Sequence, residues 1–321
     1  MKVRFWGTRG SIPVSVTAPD IRAKLLAALE GAVGRRLDTP AAIADYVDHQ
    51  LGFDVCGTFG GHSACVEIET GGTEHVLLDM GSGVRPFGQS MLARYGAGTP
   101  QTYHVFMSHL HWDHIMGFPF FAPVYIPGNR IVIHACHEEA EHAFRRQQAV
   151  PSFPVDFSQL AATIEFDRLT PGKQYDIAGL RVTAKLQLHA GDSYGYRLEA
   201  GGKSVVYSTD SEHKLDSDDD SERKAFVEFF RDADLVIFDA MYSFAEAISV
   251  KADWGHSSNV IGVELCQAAR AKCLCLFHHE PANNDTRLAG VLQETRRFEE
   301  ITRDDHELGV IAAYDSLEIE V

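Results

Sequence analysis

The sequence predicts an α+β protein in which two β-sheets pack face to face with helices on the outside. Two observations lead to this fold class. The two halves of the chain repeat one pattern of short strand-like segments, and within each half helical patterns follow the strands. Because each sheet must bury one of its faces, the two sheets are expected to pack on each other and to leave the helices outside.

The predicted strands are short, rich in β-branched and aromatic residues, and bounded by glycine. Those of the first half are Val3–Trp6, Ala64–Glu69, His75–Asp79, Thr102–Met107 and Arg130–His134. Those of the second half are Arg181–Leu188, Gly195–Ala200, Ser204–Ser208, Leu235–Asp239, Lys272–Phe277 and Val310–Tyr314.

Helical spacing of apolar residues predicts four helices, which are Glu138–Gln148, Ser221–Asp232, Ser258–Ala271 and Thr286–Ile301. Residues 20–51 depart from the strand pattern, because two further helical segments, Ile21–Leu29 and Ala41–Leu51, lie between the first and second strands. We interpret residues 20–51 as a helical insertion in a single domain of residues 1–321. Its role as a lid, a homodimer contact or a neutral addition stays open. The acidic run at 216–220 is predicted to be a solvated loop that begins a helix.

The composition indicates an ordinary globular protein and limits its partners. Of the 321 residues, 45% are hydrophobic and 23% are charged, which allows a sizeable core. The formal net charge is −16. Because phosphate backbones are bound chiefly through Lys and Arg, a long nucleic acid is not expected as a partner, whereas a small phosphorylated substrate is compatible with this charge.

We expect no membrane span, because no run of about eighteen apolar residues occurs. The amino terminus enters a strand pattern directly and lacks a signal-type apolar core. The six cysteines show no CxxC pairing and are expected to be reduced thiols. Together these features predict a cytoplasmic protein.

Residues 108–114, Ser-His-Leu-His-Trp-Asp-His, place four metal-ligand side chains directly after a predicted strand. Imidazole nitrogens and carboxylate oxygens are ligands for divalent metals such as zinc. His109 and His111 are two residues apart, so an extended backbone points them the same way. Asp113 and His114 follow around the turn and can face a second ion. The alternative, a histidine-rich surface loop, is disfavoured by the tight grouping after a buried strand.

Three more polar residues stand where later predicted strands end: His189, Asp210 and His278. Binding residues often occupy such positions at the edge of a sheet. Taken singly, each has an ordinary explanation, Asp210 as a helix cap and the two histidines as loop residues. Together with residues 108–114, they predict a site for two metals.

In this order, His-x-His-x-Asp-His followed by His, Asp and His, the chain resembles the metallo-β-lactamase-fold hydrolases from residue 1 to about 315. The resemblance implies a four-layer αββα sandwich with both metals at one edge. The first metal would be held by His109, His111 and His189. The second would be held by Asp113, His114 and His278, with Asp210 bridging the two. The cofactors would be two divalent ions, Zn²⁺ in the first place and Mn²⁺ or Fe²⁺ as alternatives.

The resemblance also implies supporting roles. Asp79 matches a carboxylate that braces the ligand loop. His279 adjoins His278, and we favour His278 as the ligand because it comes first after the strand. Because the ligand set is complete, the alternative of a sensor protein that has lost its metals is disfavoured.

Five motifs narrow the resemblance to the phosphodiesterase branch, which contains ribonuclease Z and the phosphonate-pathway cyclic phosphodiesterases. They are Phe5–Ser11, Gly60–Cys65, His111–Ile115, Ser193–Arg197 and Trp254–Ser258. In that branch the histidine matching His256 lies beside the scissile phosphate and can donate a proton. The motifs contain four candidates for substrate contact: Arg9, Ser11, His62 and Ser193.

The chain departs from the branch in three places. At His62 the expected residue is Asn, and residues 20–51 are additional. The Gly/Pro-rich arm with which ribonuclease Z holds tRNA is not found in the sequence. His256 also has a structural alternative, as a neighbour of a helix cap at Ser257 or Ser258.

The sequence therefore predicts a dinuclear-metal-dependent phosphodiesterase acting on a small or cyclic phosphodiester, such as a cyclic nucleotide or cyclic ribose phosphate. A metal-bridging hydroxide would attack phosphorus, Asp113 would orient it, and His256 would protonate the leaving group. Arg85 and Arg197 join Arg9 as candidates for a phosphate clamp. The alternatives are a thioester or lactone hydrolase on the same fold, a tRNA 3′-processing endoribonuclease, and a non-enzymatic nucleotide-binding sensor.

Overall fold

Two β-sheets face each other in the computed structural model, which describes residues 1–213, 220–242 and 254–321. Apart from Asp220, the acidic run predicted as a loop at 216–220 lies outside these residues. In chain order the strands are β1 (Lys2–Gly7), β2 (Cys65–Glu69), β3 (His75–Leu78), β4 (Thr102–Met107), β5 (Arg130–Ala135), β6 (Thr163–Arg168), β7 (Gln174–Ile177), β8 (Leu180–Gln187), β9 (Ser193–Ala200), β10 (Lys203–Ser208), β11 (Leu235–Asp239), β12 (Cys273–Phe277), β13 (Gly309–Ala312) and β14 (Glu318–Glu320).

The first sheet has the strand order β14-β1-β2-β3-β4-β5-β6, and the second has the order β13-β12-β11-β10-β9-β8-β7. In the first sheet β3 to β6 run parallel. In the second sheet β10 to β13 run parallel, and β8 has the same direction because β9 is antiparallel to both β8 and β10. The carboxyl ends of β8, β10, β11 and β12 therefore lie at one edge of their sheet.

The helices of the described residues are α1 (Ala18–Ala32), α2 (Pro40–His49), α3 (Phe53–Cys56), α4 (Val84–Tyr95), α5 (Trp112–Ile115), α6 (Ala140–Gln147), α7 (Asp220–Phe230), α8 (Asn259–Ala268) and α9 (Asp285–Thr302). Side-chain caps begin several of them. Thr17 and Asp20 form a capping box at the start of α1. The Ser258 hydroxyl accepts from the backbone N–H of Ile261 at the start of α8.

The space between the sheets is filled by a core of large side chains. Phe5, Phe106, Tyr196, Tyr207 and Phe277 lie in it and have no exposed surface. Burying a side chain of this kind contributes roughly 1.5–3 kcal/mol. This core holds the two sheets together.

Each sheet also buries its outer face against helices. On the first sheet, Phe87 of α4 and Phe144 of α6 belong to a second core cluster. On the second sheet, Phe226 of α7 and Val263 of α8 belong to a third. The layers are thus helix, sheet, sheet and helix, and the predicted α+β four-layer sandwich is confirmed.

The predicted strands recur with ends shifted by a few residues, while α3, α4, α5, β6, β7 and β14 were not predicted. Helix α4 contains Pro86 and Gly88, which resemble a turn in sequence, although a proline is tolerated in the first turn of a helix. Asp79 was predicted to end a strand, but its φ of 61° takes it out of β3. That turn places the Asp79 carboxylate beside the loop after β4.

The predicted insertion at 20–51 contains α2 and all but the first two residues of α1. Its Lys24 Nζ lies 2.7 Å from an Asp285 carboxylate oxygen and donates to the Gly57 carbonyl at 2.8 Å. Leu25 and Leu29 of α1 and Val33 directly after it are 59%, 66% and 81% exposed. The insertion is therefore anchored to the body through Lys24 and presents an apolar face to solvent.

All six cysteines are free thiols. Among the described residues, no helix is both long enough and apolar enough to cross a membrane.

Candidate metal centre

The predicted metal ligands meet where strands of both sheets end. His109 and His111 follow β4 of the first sheet, and α5 carries Asp113 and His114 directly after them. The second sheet contributes one residue just after each of three strands. These are His189 after β8, Asp210 after β10 and His278 after β12.

Three histidines form the first cluster: His109, His111 and His189. The His189 Nε2 atom lies 3.1 Å from His111 Nδ1. The ring of His109 is centred 4.5 Å from that of His111 and 5.0 Å from that of His189. The three rings therefore converge on one point, as ligands of a single ion do.

Two carboxylates and two histidines form the second cluster: Asp113, His114, Asp210 and His278. The Nε2 atoms of His114 and His278 are 3.2 Å apart. Each of these nitrogens also lies 3.2 Å from Asp113 Oδ2. All four residues are buried.

Asp210 joins the two clusters through its two oxygens. Its Oδ1 atom lies 3.2 Å from His114 Nε2 and 3.3 Å from His278 Nε2. Its Oδ2 atom lies 3.6 Å from His109 Nε2 and 3.8 Å from His189 Nε2. One carboxylate thus faces both clusters, which is the arrangement of a bridging ligand.

The hydrogen bonds of three histidines identify the nitrogen that is free to bind a cation. His114 Nδ1 donates to Asp79 Oδ2 at 2.7 Å, and His189 Nδ1 donates to the Gly255 carbonyl at 2.8 Å. The Ser108 hydroxyl donates to Asp79 at 2.7 Å and so accepts from His109 Nδ1 at 3.0 Å. In its neutral form each of these rings therefore keeps a lone pair on Nε2.

The Nε2 atom of His109 is the clearest case of a ring nitrogen that is available to a cation. It is buried and has no hydrogen-bond partner among the described residues. A buried polar atom without a partner is costly, and a divalent cation would satisfy it. Burial, followed by the neighbouring His114, holds the pKa of His109 well below its usual range, so the ring is neutral and able to bind metal. The donor set fits two divalent ions.

The charge of the second cluster also indicates a site for divalent cations. Burial opposes protonation of His114, but the carboxylates of Asp113, Asp210 and Asp79 outweigh it and raise its pKa well above the usual range. Buried carboxylates this close together require positive charge nearby. Two divalent cations would supply it and leave the imidazoles neutral.

Asp79 supports the ligand loop, as the resemblance implied. Its carboxylate accepts from the Ser108 backbone N–H at 2.7 Å and from the Tyr207 hydroxyl at 2.8 Å, in addition to His114. Asp79 is fully buried. It therefore fixes both the start of the loop and the orientation of one ligand.

Several residues at this centre have left-handed backbone conformations. Ser11, Asp210 and His278 have φ values of 56°, 48° and 59°. Such conformations cost free energy in residues other than glycine and are concentrated at functional sites. At Ser11 the conformation has a visible consequence, because its backbone N–H donates to Asp113 Oδ2 at 2.8 Å.

His256 lies against the edge of the donor set. Its Nδ1 atom donates to Asp239 Oδ2 at 2.8 Å and is 3.9 Å from Asp210 Oδ2. Its ring stacks on that of His278, with centroids 5.1 Å apart. Burial lowers the pKa of His256, but Asp239, with Asp210 and Asp113, outweighs burial and raises it to about 9.

Asp239 was not among the predicted site residues. Its signal in the sequence is the apolar strand β11, which ends on a carboxylate as the segment before Asp210 does. His256 is also the neighbour of a helix cap that the alternative supposed, because Ser258 caps α8, but the side chain of His256 itself binds Asp239. Of the two adjacent histidines, His278 lies in the second cluster, whereas His279 Nε2 donates to the Ala313 carbonyl at 2.8 Å.

The four candidates for substrate contact have different surroundings. Ser11 touches Asp113 through its backbone. The buried Arg9 donates to the carbonyls of Gly60 at 2.9 Å, Asn283 at 2.8 Å and Glu280 at 3.3 Å, so its guanidinium ties loops together.

The remaining candidates also bind protein groups. Ser193 is buried, and its hydroxyl donates to the Thr209 carbonyl at 3.3 Å. His62 Nδ1 lies 3.1 Å from the Ser82 hydroxyl. Arg197 donates to the carbonyls of Phe229 and Arg231, both at 3.0 Å. A role of these residues in substrate contact stays a prediction.

Comparison with known proteins places this chain in a family. The Beta-lactamase superfamily domain matches residues 74–279. Ribonuclease Z of Acaryochloris marina (strain MBIC 11017) is 28% identical over 269 residues, which covers 68% of this chain and 81% of that protein.

Solved structures agree in fold. The metallo-beta-lactamase fold protein YhfI from Bacillus subtilis has a TM-score of 0.63 at 16% identity, covering 100% of this chain and 98% of its own. A diphosphatase from the PhnP family has a TM-score of 0.59 at 18% identity, covering 100% and 97%. At these identities the likeness shows the fold alone. Since the family match spans more than half of the chain, the protein belongs to the Beta-lactamase superfamily domain family and is a metal-dependent hydrolase.

Proposed function

We propose that the protein is a dinuclear-metal phosphodiesterase acting on a small or cyclic phosphodiester. The observation that carries the proposal is the placement of His256. Its Nδ1 atom donates to Asp239 at 2.8 Å and lies 3.9 Å from Asp210, the carboxylate that joins the two clusters. Cleavage of a phosphodiester produces an alkoxide that needs a proton, and an imidazole in this position can donate one.

The proposed ligands are those predicted from the sequence. His109, His111 and His189 would hold the first ion, Asp113, His114 and His278 the second, and Asp210 both. When bound, two divalent ions lower the pKa of a water molecule and neutralise charge on phosphate oxygens. Histidine-rich sites suit Zn²⁺, while the two carboxylates around the second position are also compatible with Mn²⁺ or Fe²⁺.

The protein residues would divide the remaining work. Asp239 accepts the Nδ1 proton of His256 and, with the raised pKa of about 9, favours the doubly protonated ring. The Nε2 proton of that imidazolium would pass to the leaving alkoxide and leave the neutral ring with its proton on Nδ1. Asp113, whose Oδ2 atom is held by the Ser11 backbone N–H at 2.8 Å, would orient the attacking water. These two residues are the proposed catalytic pair.

A second candidate is tRNA 3′-end processing, because the Acaryochloris marina relative is a ribonuclease Z and is 28% identical. The charge of this chain favours a small substrate instead. With 45 acidic and 29 basic residues, the protein has few cations with which to follow a phosphate backbone.

The test begins with metal-loaded protein assayed on bis(p-nitrophenyl) phosphate, a panel of cyclic nucleotides, precursor tRNA, and thioester and lactone substrates. The proposal predicts turnover of a small phosphodiester. Failure on every phosphodiester, or preference for precursor tRNA, would overturn it. Turnover confined to a thioester or lactone would assign the other hydrolase function.

The second part of the test changes His256→Ala. We expect kcat on the phosphodiester to fall roughly 10²- to 10⁴-fold, the usual contribution of a general acid, with the metal content unchanged. His49→Ala is the matched control, since His49 is an exposed histidine at the end of α2. An unchanged kcat in His256→Ala would remove His256 from the mechanism.

A further inference from the structure

We propose that helix α1 is the contact surface of a homodimer, in which the α1 helices of two copies of this chain pack antiparallel about a two-fold axis. The contact would give the insertion at 20–51 a role in assembly. It does not depend on the proposed phosphodiesterase activity.

Exposed large apolar side chains are concentrated in this insertion. Among the residues that the structure describes there are seventeen such side chains, and seven of them lie within 20–51, which is about a tenth of the chain. Five belong to α1 or to the residue directly after it: Ile21, Leu25, Leu26, Leu29 and Val33. Apolar side chains exposed singly are ordinary, but a contiguous group of them marks an interaction surface.

The spacing of these side chains places them on one face of the helix. Ile21, Leu25, Leu29 and Val33 are four residues apart, so they form one row along α1, and Leu26 stands beside that row. Ile21 is 48% exposed and Leu26 is 40% exposed, and the other three are more exposed than these. The described part of the chain therefore leaves this row uncovered.

A second row, formed by Arg22, Leu26 and Glu30, runs beside the apolar one and carries opposite charges at its two ends. Arg22 lies about one turn before Leu26, and Glu30 lies about one turn after it. Arg22 and Glu30 are both exposed, and within the described ranges neither forms an ion pair or a side-chain hydrogen bond. If this row lies antiparallel to its own copy, Arg22 of each chain meets Glu30 of the other, and Leu26 meets Leu26.

This arrangement agrees with the usual geometry of helix packing. Helices commonly interdigitate their rows of i and i+4 side chains at a crossing angle of about 50°, and the rows of the two helices then run along each other. In a two-fold contact, a residue i that meets residue j must also be met by it. The charged row satisfies this condition with Arg22 and Glu30, and the apolar row satisfies it with Leu25 and Leu29.

The charge of α1 favours a second copy of the chain over a charged partner. The helix has two basic and two acidic residues, whereas the whole chain has a formal net charge of −16. Two copies that meet through α1 therefore avoid most of the repulsion between their acidic surfaces. A helix that lies on an anionic membrane instead has an excess of basic residues on its polar face, which α1 lacks.

Sedimentation equilibrium of the metal-loaded protein tests the contact. One helix pair forms a small interface, so the protein concentration should range from about one to several hundred micromolar. We expect the wild type to change from the mass of one chain toward that of two over this range. The double variant Leu25→Asp/Leu29→Asp should keep the mass of one chain throughout. Ile301→Asp is the matched control, because Ile301 is 67% exposed near the end of α9, and this variant should dimerise as the wild type does.

Exchange of the two charges tests the antiparallel pairing itself. Arg22→Glu removes two attractive pairs from the dimer and creates two repulsive ones. Although each exposed pair contributes little, together they should raise the dissociation constant roughly tenfold at low ionic strength, and Glu30→Arg should do the same. The double variant Arg22→Glu/Glu30→Arg restores opposite charges, so its dissociation constant should return to within about twofold of the wild-type value.

Three outcomes would overturn the proposal. The wild type could keep the mass of one chain up to several hundred micromolar. A dimer could persist in Leu25→Asp/Leu29→Asp, which would place the contact elsewhere on the molecule. The double charge variant could dimerise no better than the two single variants, which would refute the antiparallel pairing of α1 with its copy.

Discussion

Replacement of Gly255 by alanine tests how far the first histidine cluster depends on its backbone support. Gly255 has a φ of 81°, and its carbonyl accepts from His189 Nδ1 at 2.8 Å. A Cβ at this position would lie 2.3 Å from His189 Nδ1 and 2.9 Å from Cε1. The imidazole must therefore move away, and the hydrogen bond that orients it is lost.

The expected magnitude follows from two costs. A left-handed conformation costs an alanine about 1–2 kcal/mol, which lowers stability but does not act on the metal. Loss of the group that orients a histidine ligand typically lowers metal affinity 10- to 100-fold. We expect the affinity of the first cluster to fall by that factor in Gly255→Ala, while the second cluster, which does not touch Gly255, keeps its ion.

Gly191→Ala separates the two costs. Gly191 has a φ of 80°, and a Cβ there would have His111 Nε2 at 4.0 Å as its nearest neighbour. This variant carries the backbone strain without the clash. Metal per chain would be measured after dialysis at a buffered free Zn²⁺ concentration that just fills the wild type. Equal amounts of metal retained by Gly255→Ala and Gly191→Ala would show that His189 does not depend on Gly255 for its orientation.

Two further predictions concern buried carboxylates. Burial raises the pKa of Glu67 to about 7. Between pH 4.5 and 7 the Glu67 carboxyl is therefore ionised in the unfolded chain but still protonated in the folded one, so the free energy of unfolding falls as the pH rises through this range. In urea unfolding, Glu67→Gln should be more stable than the wild type by under about 1 kcal/mol at pH 5 and by up to about 3 kcal/mol at pH 8. A gain in the free energy of unfolding that does not depend on pH would contradict this prediction. Asp79→Asn should weaken metal binding about 10- to 100-fold in chelator competition, because an amide has one acceptor oxygen and cannot accept from both the Ser108 backbone N–H and His114 Nδ1. An unchanged affinity would show that Asp79 does not orient the ligand.

The local part of the centre could be predicted from the sequence. His109, His111, Asp113 and His114 are within six positions of one another, and their placement after β4 follows from an apolar run that ends there. His189, Asp210 and His278 were predicted because each follows an apolar strand pattern and because their order after residues 108–114 matches the family that the chain resembles.

Contacts between distant segments could not be predicted. Asp239 carries the same strand-end signal as Asp210, yet nothing in the sequence pairs it with His256. The contacts of Arg9 could not be predicted either, because a phosphate clamp and a structural guanidinium look alike in a sequence. Its acceptors are carbonyls 51, 271 and 274 residues away along the chain, and only the folded structure brings them together.

Because the metal ligands come from both sheets, bound ions would join the two halves of the molecule. The loop after β4 and helix α5 offer four ligands from one half of the chain, and β8, β10 and β12 offer three from the other half. Ions bound between them would act as a cross-link, adding about 4 kcal/mol to the free energy of unfolding at a free metal concentration 1,000 times the dissociation constant. A chelator would then loosen the junction between the halves as well as stop the chemistry, so metal supply would govern how long the protein persists as well as how fast it works.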